Sequence, residues 1–285
     1  QAIRHYFSQP GDEANYYEIA TIMLGKSVEG AYLGHLQRRG GRQLGVDLLH
    51  VTKPMLPYRD YVFEYPPMML LPIILPALVT QTSLGYIRVF ACLVAVTVIF
   101  ALLLVIKFPL KNKMSTVQTL LISFWLTFSF GVILATRLDI FPAVFTLLTL
   151  YLYTKGNTIW ASCVLAIAVM FKAYPMVLAP LFMLDLFFKH KWRSLGSSLL
   201  GFSVSLLIIS LPFYWLQPEN YLASFRYHAA RGIQLESLYA SYALLKHLFL
   251  AYPVQIQFIY GSADLLFSSA PFLKTISTYL GLASF

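Results

Sequence analysis

Charged residues are scarce in this 285-residue chain: Asp, Glu, Lys and Arg make up 12% of it, against about a quarter in a soluble domain. Cysteine is scarce too, and Cys92 and Cys163 both lie inside apolar runs. That setting is typical of packing residues rather than of a disulfide or a metal pair. The sequence has no Asp-x-Asp and no metal-spaced His/Cys set, so it predicts no metal site and no cofactor.

Two sequence motifs are also missing, one for nucleotide binding and one for α/β-hydrolases. "LGKS" at 24–27 resembles the end of a phosphate loop, but the earlier glycine of that pattern falls on Ala20. No Gly-x-Ser-x-Gly is present, which gives no support to an α/β-hydrolase nucleophile.

Apolar residues are abundant, at 58% of the chain, and long apolar runs recur from Pro67 onwards. The hydrocarbon core of a membrane tolerates no unpaired backbone, so these runs predict helices. We therefore expect an all-α fold, a polytopic membrane helical bundle. Its runs are 85–106, 117–135, 138–153, 158–171, 174–188, 195–216, 238–258 and 266–284. Several are shorter than the roughly 20 residues of a straight span, which suggests a cavity that dips into the bilayer.

The formal net charge of +9 is explained by the excess of Lys and Arg in cytoplasmic loops, so nucleic acid is not an expected partner. The loops 107–113, 154–158 and 188–194 carry lysine and alternate along the chain with 136–139, 172–174 and 216–237. The first set is predicted to be cytoplasmic and the second non-cytoplasmic.

Two regions follow from this pattern. Residues 1–66 form a polar outer-face loop region with short amphipathic helices, one of them over "GDEANYYEIATIMLG". Residues 67–285 form the transmembrane bundle of about eight apolar segments, preceded by an interfacial helix at 67–82. We expect the chain to be a fragment that lacks at least one helix at its front.

Carboxylates gather on one predicted side of the membrane. Seven of the twelve acidic residues lie in the first 66 residues and three more lie in the loops of the same side, at Asp139, Glu219 and Glu236. The positive-inside rule does not require this clustering, because acidic residues contribute little to topology. Solubility of an outer region explains about half of it. The remainder indicates a site.

The junction "ATRLDIFPAVF" places Arg137 and Asp139 between two apolar runs. One interpretation is helix capping, in which Asp139 complements the dipole of the next helix and Pro142 lies in its first turn. The other is a site in which Arg137 meets an anionic ligand and Asp139 orients it. We favour the second, because charge at a membrane edge is costly when it is not needed.

Further cations occur on the same side. Lys172 in "FKAYPMVLAP" is either a lysine that reaches for the membrane surface or, with Arg137 and Arg231, part of a cationic pocket for a phosphate. Arg231 lies in "YHAARGIQLESLYAS" together with His228 and Glu236. Glu236 is either a cap for the helix that follows or part of the site.

Asp12, Asp60 and Glu64 are the candidate general bases of the outer region. A base must reach a hydroxyl proton within about 3 Å. Asp12 also fits the N-cap of the first helix, so both roles are open for it.

Four stretches, in order, carry a family resemblance: "DEANYYEIATIMLG", "PYRDYVFEYPPM", "RLDIFPAVFTLLTLYLY", and "FKAYP" followed later by "RGIQLES". Over about residues 10–245 the chain resembles the GT-C superfamily of integral-membrane glycosyltransferases. More closely, it resembles glycosyltransferase family 87, the polyprenol-phosphate-mannose-dependent mannosyltransferases. The missing first helix departs from the family plan, which places it just before the loop that carries the catalytic aspartate.

The resemblance implies a glycosyltransferase that moves a hexose, mannose by the family's pattern, from a polyprenyl-phosphate donor to a lipid or glycan acceptor. Transfer inverts the anomeric centre at the outer face of a plasma membrane. The position matching the family's catalytic aspartate is Asp12. The donor phosphate is assigned to Arg137, Lys172 and Arg231. The sugar or the acceptor is assigned to Asp60, Glu64, Tyr65, Asp139, His228 and Glu236.

The alternative is a polytopic lipid or sugar transporter or flippase. It predicts charges at mid-membrane inside the spans, where few residues are basic, among them Arg88, Lys246 and His247. A non-catalytic membrane scaffold leaves the one-sided carboxylates and cations unexplained.

Overall fold

The computed structural model describes residues 12–26, 53–107, 137–230, 232–235, 237–259 and 262–267, with single residues between 115 and 125 and between 270 and 275. The predicted helices at 117–135 and 266–284 lie mostly outside the described residues. Within them the architecture is helical, with one small hairpin. The predicted all-α membrane fold is confirmed.

The outer region contributes helix α1, Asp12–Met23. It is buried round its whole circumference from Ala14 to Ile22, including Glu18, rather than along one apolar face. α1 packs on helix α2, Leu70–Val79, and on helix α3, Ser83–Lys107. A short 3-10 turn, Pro67–Met69, precedes α2 and begins with the proline expected at a helix start.

Four further helices form the bundle: α4 at Ile140–Thr154, α5 at Thr158–Phe171, α6 at Leu178–Phe188 and α7 at Trp192–Leu216. A 3-10 turn, Tyr174–Val177, joins α5 to α6. α5 is the central helix, because α4, α6, α7 and both 3-10 turns contact it. These bounds agree closely with the apolar runs of the sequence.

Small residues allow α5 and α7 to approach closely, as is usual where helices pack in a lipid environment. The buried face of α5 carries Ala161, Ser162, Ala166 and Ala168. On α7, a Cβ built at Gly201 would lie 3.1 Å from Cys163 Sγ and 3.5 Å from the carbonyl oxygen of Ile159. Glycine at 201 is therefore part of the interface.

After α7 the structure differs from the sequence-based expectation. Residues 216–237 were expected to be a loop, but helix α8 covers Pro218–Ala230. Two residues indicate the start of this helix: Pro218 at its first position and Glu219 in its first turn. The low apolar content of the segment favoured a loop instead.

The predicted helical run over 238–258 is also divided. Helix α9, Leu238–Leu250, ends where Ala251 adopts a left-handed φ of 50° and Pro253 follows. Strand β1, Gln255–Ile259, then pairs antiparallel with strand β2, Ser262–Leu266. Gln and apolar residues alternate in β1 with the period of two that a strand requires.

α3 and α7, each of 25 residues, are long and apolar enough to cross a membrane. Little of either apolar stretch is buried inside the protein, unlike the core helix of a soluble domain. α2, α4, α5 and α6 are apolar and shorter. The lengths and exposure are those of a membrane protein.

A leucine at position 201 should weaken the α5–α7 interface. We expect Gly201→Leu to lower the free energy of unfolding by about 1–3 kcal/mol through overpacking against Cys163 and Ile159. Gly196→Leu on the same helix is the matched control, because a Cβ there has no neighbour within 4 Å. Both variants gain similar helix propensity, roughly 1 kcal/mol. The apparent Tm of the two purified variants should therefore differ, and equal Tm values would contradict this packing.

Candidate functional site

A tight turn at 56–61 carries the first group of candidate residues. The Tyr58 amide donates to the Tyr61 carbonyl at 2.9 Å, and the Asp60 amide donates to the Leu56 carbonyl at 2.9 Å. Tyr58 has a left-handed φ of 64°, a conformation that is uncommon for a residue with a side chain. Its ring is completely buried and its hydroxyl donates to the carbonyl of Tyr65. The turn is thus held by an anchored tyrosine.

Asp60 is engaged through both of its carboxylate oxygens. Oδ1 accepts from Arg59 Nε at 3.0 Å, and Oδ2 accepts from Arg59 Nη2 at 2.9 Å and from the Leu56 amide at 2.6 Å. Hydrogen bonds from the Arg59 guanidinium hold the pKa of the Asp60 carboxyl below its usual value. Asp60 is therefore ionised near neutrality and helps to stabilise its own turn.

Glu64 and Tyr65 follow this turn and are both half-buried. The Tyr65 ring packs edge-on against Phe63 at 5.7 Å between ring centroids. Tyr65 therefore lies at the margin of the core, with its carbonyl held by Tyr58.

One aromatic core gathers the candidate segments, and we call it the main core. Tyr58, Tyr61 and Phe63 from the outer region pack there with Leu138 and Phe141 from the α4 junction, Phe171 from the end of α5 and Tyr221 from α8. Phe171 stacks on Phe141 and Phe145 at 6.2 and 5.1 Å. Because Tyr61, Leu138 and Phe171 each adjoin a candidate polar residue in sequence, the main core brings three candidate segments to one end of the helices.

Two candidate residues, Asp139 and Lys172, contact each other directly. Lys172 Nζ donates to Asp139 Oδ1 and forms an ion pair with it, although the two lie 33 positions apart in sequence. The pair links the start of α4 to the end of α5. Sequence reasoning named both residues separately and did not predict their contact, because it cannot tell which helix ends meet.

Tyr174 is a neighbour of this pair that the sequence analysis did not single out. Burial, more than its neighbours Thr146 and Asp139, raises the pKa of the Tyr174 hydroxyl above its usual value. Its position in "FKAYP", two residues after Lys172, was the available signal.

Other candidates are described only in part. Arg137 is exposed immediately before the buried Leu138. α1 begins at Asp12 and His228 lies in α8, but their side chains are outside the described part of the structure, as are Arg231 and Glu236. The roles assigned to these residues from sequence stay predictions.

Asp185 occupies a different setting. Its carboxylate accepts from the Tyr153 hydroxyl at 2.5 Å and from Lys189 Nζ at 2.8 Å, tying the end of α4 to the end of α6. Among the described residues, no group of three or more His, Cys, Asp or Glu side chains is arranged to hold a metal ion.

Comparison with known proteins finds no match among curated proteins and none among solved structures. A family model does match, that of glycosyltransferase family 87, over residues 63–268. The match covers more than half of the chain; it begins just after the outer turn at 56–61 and runs through α8 to the hairpin. It includes both partners of the Asp139–Lys172 pair. On this match the chain belongs to glycosyltransferase family 87, and the resemblance inferred from the sequence motifs is confirmed.

Proposed function

We propose that this glycosyltransferase takes its sugar from a polyprenyl-phosphate donor and transfers it, with inversion, to a hydroxyl of a lipid or glycan acceptor. The sugar is a hexose, and the family resemblance favours mannose. The enzyme works in the plasma membrane as a multi-pass protein, with its site on the non-cytoplasmic side, as the lysine-rich loops at 107–113, 154–158 and 188–194 indicate.

The observation that carries the proposal is the Asp139–Lys172 pair beside the main core. A donor that leaves as a phosphate needs positive charge near the place where its negative charge develops. Lys172 supplies such a charge. Through its ion pair with Asp139 it lies beside the junction that also carries Arg137. This supports a cationic seat for the donor phosphate at this end of the helices.

The lengths of the central helices support a lipid-linked donor. α4 and α5 have 15 and 14 residues, so each is about 21–22 Å long. A bilayer core is about 30 Å thick. Helices of this length leave room below the membrane surface, where a groove open to lipid can take a polyprenyl chain.

The transfer step follows from this arrangement. The acceptor oxygen attacks the anomeric carbon from the face opposite the phosphate, so the new C–O bond forms as the bond to the phosphate oxygen breaks. The electron pair leaves with the phosphate, and Asp12 takes the acceptor proton. The polyprenyl phosphate is already a good leaving group, so no general acid is needed.

The residues divide by role. Arg137, Lys172 and Arg231 bind the donor phosphate. The sugar and the acceptor are bound by Asp60, Glu64, Tyr65, Asp139, His228 and Glu236. Within this set, the contacts of Asp60 with Arg59 and Leu56 favour a role in shaping the turn that precedes Glu64.

Asp12→Asn should abolish most transfer. Loss of a general base costs about 10²–10⁴-fold in rate, and the substitution keeps the size of the side chain. The measurement is transfer of radiolabelled sugar from polyprenyl-phosphate mannose in membranes, with expression levels matched. Glu219→Gln is the control, because Glu219 is an exposed carboxylate in the first turn of α8.

Equal transfer by the wild type and Asp12→Asn would move the base to Asp60 or Glu64. Transfer by neither protein would contradict the donor assignment and favour a different donor or the transporter alternative.

Lys172→Met should raise KM for the donor by about tenfold, because it removes one charged contact to the phosphate. Lys172→Arg should recover part of the loss, because it keeps the charge. The control is Lys155→Met. Lys155 lies in the loop between α4 and α5, and its ammonium lies over the ring of Tyr151 in α4. An unchanged donor KM in Lys172→Met, measured by initial rates, would remove Lys172 from the phosphate site.

A further inference from the structure

Helix α8 carries exposed apolar side chains that the proposed mechanism does not use. Leu222 and Phe225 are each 43% exposed, and the neighbouring Arg226 is exposed as well. Residues three and four positions apart lie side by side on a helix. Leu222, Phe225 and Arg226 therefore share one side of α8, which we call the exposed face. Glu219, also exposed, lies at its charged edge.

The opposite side of α8 is fixed to the rest of the protein. Tyr221 and Ser224 are buried there, and the Tyr221 ring packs against the Tyr58 ring at 5.6 Å between centroids. Asn220 Nδ2 donates to the carbonyl of Arg59 in the outer turn at 3.2 Å. These contacts determine which side of α8 points outwards, and it is the side with the exposed face.

α8 begins where a helix long enough to span a membrane ends. α7 ends at Leu216, and only Gln217 separates it from Pro218 at the start of α8. In the last turn of α7, Trp215 is 73% exposed and Leu216 is 43% exposed. Tryptophan is enriched where helices leave a bilayer. The lipid-facing surface of α7 is thus followed directly along the chain by the exposed face of α8, at the level of the membrane surface.

The main core shows which end of the bundle this is. Tyr221 of α8 belongs to the main core together with Leu138 and Phe171. Leu138 and Phe171 directly precede Asp139 and Lys172 in sequence. α8 therefore lies at the same end of the helices as the Asp139–Lys172 pair.

The composition of the exposed face favours lipid as its partner. α8 has 13 residues and a span needs about 20, so α8 does not cross the bilayer. Leucine and phenylalanine beside a basic residue are typical of a helix that lies in the membrane surface. The apolar side chains of such a helix enter the boundary between acyl chains and head groups, and its long basic side chains reach the lipid phosphates.

We propose that α8 lies on the membrane surface and that its exposed face binds phospholipid. Leu222 and Phe225 enter the boundary between acyl chains and head groups, and Arg226 contacts the lipid phosphates. Membrane binding by α8 does not depend on the proposed function, but its consequence for transfer rests on it. Because α8 also contacts the outer turn through Arg59, its depth in the lipid sets the depth of the site relative to a lipid-linked donor.

Fluorescence quenching measures the depth of α8 without activity. The full chain is reconstituted into phosphatidylcholine vesicles, with a fluorophore on one introduced cysteine in a background of Cys92→Ser and Cys163→Ala. The label in Leu222→Cys should be quenched by lipids that carry a nitroxide just below the head group and protected from iodide in the water. Glu219→Cys, at the charged edge of the same helix, is the control and should show the reverse order.

Two further variants complete the depth measurement. The label in Phe225→Cys should behave like the label in Leu222→Cys, and greater access of iodide at 222 and 225 than at 219 would overturn the proposal. Arg226→Glu places a negative charge beside the lipid phosphates and should raise iodide access at 222 by about twofold. Arg226→Lys keeps the charge and should leave it unchanged. Equal access in both Arg226 variants would overturn the contact with the phosphates.

Kinetics test the consequence for transfer. In vesicles, Leu222→Asp should raise the KM for polyprenyl-phosphate mannose by about three- to tenfold, because a carboxylate resists entry into lipid. Leu222→Met should leave that KM unchanged. In detergent solution, with a short-chain donor, the KM of Leu222→Asp should equal that of the wild type, because no bilayer then sets the depth.

An equal rise in KM in vesicles and in detergent would indicate a folding defect and overturn the link between α8 and the donor. If the wild type transfers nothing from a polyprenyl-phosphate donor but the labels at 222 and 225 lie in lipid, membrane binding by α8 stands and the proposed function alone has failed.

Discussion

Packing of aromatic side chains between the outer region and the helix ends is the constraint on which the candidate site depends. Tyr58 is the clearest case, since its buried ring contacts Phe63, Phe213 and Tyr221 while its hydroxyl holds the Tyr65 carbonyl. A left-handed residue costs about 1 kcal/mol or more. That cost is offset by the burial of one large ring, about 1.5–3 kcal/mol. The turn that carries Arg59 and Asp60 therefore keeps its shape because the Tyr58 ring is packed in the main core.

The Asp139–Lys172 pair depends on the main core, and the main core does not depend on the pair. Its side chains are 53% and 42% exposed, and ion pairs at such exposure contribute about 0–1 kcal/mol after screening. The positions of its two residues are instead fixed by Leu138 and Phe171, which are buried in the main core. A pair that is weakly held can exchange partners readily. In the proposed function, Lys172 can thus turn from Asp139 to an incoming phosphate at little cost, which suits a site that binds and releases its donor in every cycle.

Much of the bundle could be predicted from the sequence, because apolar runs and flanking charges report helix ends directly. α3, α4, α5 and α7 begin and end within a few residues of the runs that predicted them. α8 was missed because its apolar content is low, and the hairpin was missed because its strands are short and their register depends on their neighbours. The contacts of Asp139 with Lys172 and of Asp264 with Gly232 were beyond sequence reasoning for the same reason: hydropathy gives no distance between residues 33 or 32 positions apart.

The proposed mechanism divides its groups between a fixed element and adaptable ones. α1, which begins at Asp12, is buried from Ala14 to Ile22 against α2 and α3. A base must keep its distance to a hydroxyl within a few tenths of an ångström, and groups carried by packed helices are held more tightly than groups in loops. The phosphate-binding cations tolerate more movement, because Coulomb attraction falls off slowly with distance. Placing the carboxylate at the start of a buried helix and the cations at junctions between helices matches each group to the tolerance of its task.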